Sequence, residues 1–73
     1  MILGKSELAL ADFKRAIEIK PDSPVAYHNR AVLYFGLKDI KSAKADIEKV
    51  RQLGGVVNPE FIRMYKVATG KND

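Results

Sequence analysis

The chain has 73 residues, room for one small domain and no more. It carries no cysteine and one histidine, His28, which excludes disulfide staples and thiolate metal sites and argues against a His/Cys zinc site. Apolar residues make up 47%, a value suited to a folded domain, and the net charge of +4 comes from thirteen Lys and Arg interleaved with nine acids along the whole chain. Such interleaving favours a mixed, solvated surface over a dedicated nucleic-acid patch. No apolar run has the length that crosses a bilayer, and the opening Met1 to Lys5 lacks the charged-then-apolar order of a signal peptide. The expectation is a soluble, cytoplasmic chain with no membrane contact.

Three prolines and five glycines divide the chain into four predicted helices. The first runs over about 6–20: Leu8, Ala9, Phe13, Ala16 and Ile17 recur at helical spacing, Ser6 is a suitable N-cap with Glu7 in the first turn, and Pro21 ends it. The second covers about 24–37, opened by Ser23-Pro24 as cap and first helical position and closed by the turn Gly36 to Asp39. The third covers about 40–53 behind the cap Asp39, with Ile40, Ala43, Ile47 and Val50 in one stripe and Gly54-Gly55 as its left-handed stop. The fourth covers about 59–69. Asn58-Pro59-Glu60 introduces it, Phe61, Ile62, Met64, Tyr65 and Ala68 give its apolar positions, and Gly70 stops it. The link Val56-Val57 is expected to pack under the third loop. There is no strand pattern, so the fold class is all-α.

Shifted by 34 residues, the sequence matches itself. Leu3 falls on Leu37, Ala9 on Ala43, Ala11 on Ala45, Asp12 on Asp46, Gly36 on Gly70 and Asp39 on Asp73. Phe13, Ala16, Ile19 and Tyr27 fall on the similar Ile47, Val50, Leu53 and Phe61. The matches cluster at apolar and turn positions, as a structural repeat requires. This period and its alternation of small and large residues resemble the tetratricopeptide repeat (TPR), an antiparallel helix-turn-helix unit. Tyr27, Arg30, Ala31 and Tyr34 stand at the family's first-helix positions, and Ala43, Ile47 and Val50 at those of its second. Arg30 replaces the usual leucine, and Gly55 stands where the closing proline is expected. Ala9, Phe13 and Ala16, with Pro21 as closing proline, resemble a second helix; Phe61, Met64, Tyr65 and Ala68 resemble a first. The resemblance therefore implies one complete repeat at 22–55, preceded by a second helix at 1–21 and followed by a first helix at 56–73. All 73 residues form a single TPR-like domain in this reading, and the phase favours a piece of a longer array. Residues expected to pack the repeats are Ala9, Phe13, Ala16, Tyr27, Ala31, Tyr34, Ala43, Ile47, Val50, Phe61 and Tyr65. Because each repeat leaves an apolar face for a neighbour, a face including Leu8 or Leu10 is expected to stay uncovered.

The same resemblance implies a concave groove lined by first helices. Its residues would be Val25, His28, Asn29, Val32 and Phe35, joined by Pro59, Ile62, Arg63 and Lys66. An extended peptide or a helix would lie there, with Asn29 bonding its backbone and Arg63 and Lys66 attracting a carboxylate. Some family members clamp a chaperone C-terminal carboxylate with Lys, Asn and Arg. Asn29 and Arg63 match two such positions, but Pro59 stands where a lysine is needed, which argues against that ligand. The expected function is a non-catalytic protein–protein interaction scaffold with a protein or peptide ligand. The alternative is self-association, as a homodimer or longer stack, through half-repeat faces at the two ends. No nucleophile or orienting carboxylate accompanies His28, no metal spacing occurs, and Gly54-Gly55 lacks the strand and lysine of a phosphate loop; an enzyme and a cofactor are not expected.

Overall fold

The computed structural model describes residues 4–70, which form four α-helices: α1 (Lys5–Ile19), α2 (Pro24–Gly36), α3 (Ile40–Gln52) and α4 (Pro59–Thr69). There is no strand among the described residues, and the fold is an all-α, TPR-like helical array. The repeat matches at Leu3 and Asp73 lie outside the described residues.

The helix ends show which local signals act. Asp39 accepts from the Ser42 N–H at 3.2 Å, and Asn58 accepts from the Glu60 N–H at 2.8 Å, so these two expected caps function, whereas Ser23 stands at the N-cap of α2 without a side-chain hydrogen bond. Ser6 does not cap α1. That helix begins one residue earlier, with Gly4 in extended conformation as its cap and Ser6 inside the first turn. The Glu7 carboxylate folds back over Gly4, 2.6 Å from where a Cβ would sit, and glycine leaves that space open. At the other end Lys20 leaves the helix because Pro21 follows it. Leu37 and Leu53, expected in the last turns of α2 and α3, are C-caps. Both helices close with the same pair of reversed hydrogen bonds. Asp39 N–H donates to Tyr34 O (2.9 Å) and Lys38 N–H to Phe35 O (3.0 Å) at the end of α2. Gly55 N–H donates to Val50 O (2.9 Å) and Gly54 N–H to Arg51 O (3.0 Å) at the end of α3. The motif needs one left-handed residue. Gly54 supplies it at φ 80°, whereas α2 uses Lys38 at φ 64°, a strained choice for a residue with a Cβ.

The core is built on α2 and α3, which pack against each other most extensively. Ala31 and Ala43 have no exposed surface, so small residues stand where these antiparallel helices pack. Tyr27, Ile47, Val50, Val57 and Phe61 fill the space around Ala31, with Ile17, Phe35, Leu53, Ile62 and Tyr65 packed on the outside. The link between α3 and α4 divides: Val57 is buried under the core and Val56 is 85% exposed. Gly55 allows this path. A Cβ there would lie 2.5 Å from Pro24 Cβ and 3.1 Å from Val50 Cγ1, which explains glycine at the position where the family carries proline.

Arg30, the departure from the family's leucine, has a physical explanation. Its Nε and Nη2 donate to Oδ2 and Oδ1 of Asp46, both at 2.7 Å, joining α2 to α3. The guanidinium carbon also lies 5.6 Å from the ring centroids of Tyr27 and of Tyr34. The bidentate hydrogen bond to Asp46 raises the Arg30 pKa above its ordinary value, against the opposing effect of burial. Asp46 is the one buried charged residue among those described, with a side chain 5% exposed against 19% for Arg30. Breaking such a pair leaves the partner desolvated and uncompensated. Asp46→Ala is expected to cost about 3 kcal/mol, a large part of the roughly 4–10 kcal/mol available to a chain of this size. The double variant Arg30→Leu/Asp46→Leu restores most of it, since both polar partners then leave together. Urea titrations followed by circular dichroism measure both.

Candidate interaction surface

α1 is the least buried helix. None of its residues is fully buried, Leu8 and Ile19 are 52% and 75% exposed, and Ile17 is its contact with the core. Ala9, Phe13 and Leu10 are partly buried, and Ala16, placed by sequence among the packing residues, is exposed. The 34-residue shift sharpens this. Ala43, Asp46, Ile47 and Val50 are all buried on α3, while their equivalents Ala9, Asp12, Phe13 and Ala16 on α1 are not. The difference is the covering helix: α2 lies over α3 at those positions, and no described residue does the same for Ala16 and Asp12 on α1.

The nine residues expected to share one groove separate into distinct environments, with Pro59 exposed at the first position of α4. Asn29 and Arg63 are exposed, as are Val25 and Val32 at 66% and 42%. Val25, Asn29 and Val32 recur at helical spacing on α2 and give it an exposed apolar stripe with an amide between. Phe35 turns to the core instead. Its ring meets Phe61 edge-on at 5.5 Å and Tyr65 at 6.4 Å. His28 is engaged too. Its Nε2 accepts from the Asn58 N–H at 3.1 Å, and its ring meets Phe61 edge-on at 5.9 Å. The imidazole thereby fixes the entry to α4, a role that sequence alone does not reveal because the partners are thirty residues apart. Val25 and His28 also line a shallow hollow with Pro24, Val50, Gly55, Val56 and Asn58.

Ile62 and Lys66 face a different way. With Tyr65 and Thr69 they form one side of a cleft of about 520 Å³, whose other side is α3: Ile40, Lys41, Lys44, Ile47, Glu48 and Arg51. Thr69 is held against its own helix, its Oγ1 donating to Tyr65 O at 3.0 Å and Lys66 O at 3.3 Å. The cleft residues on α3 do show helical spacing in the sequence, where Lys41 and Lys44 read as a solvated edge. What the sequence cannot display is that α4 lies opposite them.

A model of the TPR repeat family matches residues 1–38, which include α1 and α2. The chain belongs to the TPR family. No curated protein and no solved structure matches it. TPR repeats are in general protein–protein interaction modules and typically non-catalytic scaffolds. Among the described residues, no helix of this TPR chain is long and apolar enough to cross a membrane.

The His28 tether is separable from any ligand contact. His28→Ala is expected to loosen α4 at a cost of about 1–2 kcal/mol, from one hydrogen bond and one aromatic edge contact. Amide hydrogen exchange should quicken at Asn58 and along α4 before it quickens in α2 and α3.

Proposed function

We propose that this TPR chain is a non-catalytic scaffold that holds a peptide or a helix from another protein across the outer face of α2 and the neighbouring start of α4. The observation that supports this is the exposed stripe Val25, Asn29 and Val32 on α2. Two branched apolar side chains offer a surface to a ligand side chain, and the amide between them carries both a donor and an acceptor for a ligand backbone. Arg63, exposed on α4, adds a cation for a ligand carboxylate. Phe35 belongs to the scaffold in this reading and not to the ligand contact, because Phe61 and Tyr65 already occupy its ring.

Self-association is the weaker reading. It has the uncovered face of α1 in its favour, but each copy carries a charge of +4, so two copies repel before any apolar contact forms.

The test is selection of binding peptides from a random library displayed on phage, followed by affinity measurement with purified variants. Asn29→Ala and Val32→Glu are expected to weaken the selected peptides about tenfold or more while leaving the helical circular dichroism unchanged, since both residues are exposed. Peptides that bind both variants as well as the parent chain would contradict a ligand face on α2.

A further inference from the structure

α4 makes the least backbone contact of the four helices: the close helix–helix approaches are α2 on α3 and α1 on α2. Its start is held by side chains, with Phe61 buried in the core and His28 reaching across from α2. The chemistry of the His28 contact fixes its direction. The Asn58 backbone N–H can only donate, so the imidazole nitrogen that meets it at 3.1 Å, Nε2, presents a lone pair. The ring is therefore neutral in this contact, with its one proton on Nδ1. A proton taken up at Nε2 turns the acceptor into a donor, and two N–H groups then face each other. We infer that His28 is a proton-operated latch on α4: the neutral imidazole holds the start of the helix, and the imidazolium releases it. The contact contributes fully above the range in which imidazole changes charge, about pH 5 to 8, and is lost as pH falls through it.

No neighbouring group compensates the added charge. His28 makes no ion pair among the described residues, where the one pair is Arg30–Asp46. Around the ring, α2 contributes Pro24 and Val25, α3 contributes Val50, and the link contributes Gly55, Val56 and Asn58, none of which titrates. The other charged residue on α2, Arg30, is engaged with Asp46. The α3 cations beside Val50 are placed elsewhere, Lys49 over the Tyr27 ring and Arg51 in the cleft toward α4. On α4 the imidazole meets Phe61, whose charged neighbours in sequence, Glu60 and Arg63, are both exposed. His28 is half-buried at a shallow hollow, so a proton reaches it directly from solvent. Asn58 couples the release to the helix. Its side chain caps α4 by accepting from the Glu60 N–H at 2.8 Å, so the residue that His28 lets go is the residue that starts the helix. The latch is not a feature of the repeat, because the 34-residue shift sets Ile62 in the place of His28. One consequence rests on the scaffold reading above: Arg63 lies near the start of α4, so mild acid weakens a ligand held there. The release itself needs no ligand.

The experiment follows the isotopically labelled full chain by NMR between about pH 7.5 and about pH 5.5, with no ligand present. His28 is the one histidine and no cysteine is present, so the imidazole is the side chain with ordinary titration in that window. Nitrogen–proton correlation of the ring is expected to show the Nδ1–H tautomer at the upper pH and its conversion to imidazolium as pH falls. Amide exchange is compared as protection factors, because the intrinsic exchange rate itself changes with pH. Protection at Asn58 and through the first turns of α4 should fall about threefold or more on acidification, while that of α2 and α3 holds. His28→Gln keeps an acceptor at similar reach and does not titrate, so its α4 protection should be the same at both ends of the range. The pH response of the parent chain stands even if that variant packs α4 poorly. Four results would overturn the latch: an Nε2–H tautomer at the upper pH; α4 protection that stays constant while the imidazole titrates; a loss spread equally over all four helices; or the same loss in His28→Gln, which would trace the response to another group. A failed peptide selection on the α2 face would sink the scaffold reading and leave these outcomes unchanged.

Discussion

Ala31 on α2 and Ala43 on α3 have no exposed surface, and a methyl group at each lets two antiparallel helices come close enough to share one core. The rest of the molecule is arranged around that approach. Tyr27, Ile47 and Val50 fill the volume beside it, and Phe61 from α4 closes it. Arg30 spans the same interface and pairs with Asp46, which requires the helices to be near enough for two 2.7 Å hydrogen bonds. Both ends of the α2/α3 connection are tied by backbone bonds, so the turn at Lys38 tolerates a left-handed residue with a side chain. A chain this short has little stability to spare, and it concentrates what it has in one helix pair.

The outer helices are held more loosely, and this looseness is also what leaves surface for partners. α1 contributes Ile17 to the core and keeps Leu8, Ala16 and Ile19 at the surface. α4 is anchored by Phe61 at its start, where His28 meets both that ring and the Asn58 amide. Further along it leaves Met64 and Val67 exposed and opens the cleft against α3. A repeat built to stack against neighbours presents such faces wherever no neighbour covers it.

Much of the fold was readable because its signals are local. Pro21, Pro24 and Pro59, with Gly54 and Gly70, mark four helices to within one or two residues; the 34-residue period points to Ala43 and Ile47, and the family resemblance to Ala31, as packing residues, and all three are buried. What escaped is non-local. Arg30 reads as a flaw in the family pattern until Asp46, sixteen residues on, is placed beside it. His28 reads as a groove residue until Asn58 is brought to it. The candidate surface was less legible than the fold. The periodicity shows which residues lie on the same face of a helix, but not which helix lies opposite. The family resemblance groups Ile62 and Lys66 with α2, whereas in the fold they line a cleft with Ile40, Lys44 and Ile47 on α3.

Enlarging the two buried alanines tests the account at its base. Ala31→Leu and Ala43→Leu each add bulk at a site with no space, and overpacking of this kind typically costs about 1–3 kcal/mol. Thermal unfolding followed by circular dichroism should show each variant melting well below the parent chain, with amide exchange accelerated across α2 and α3 together. Two variants that melt at the parent's temperature with unchanged exchange would mean that the helices do not depend on close approach at these alanines, and the packing described here would be wrong.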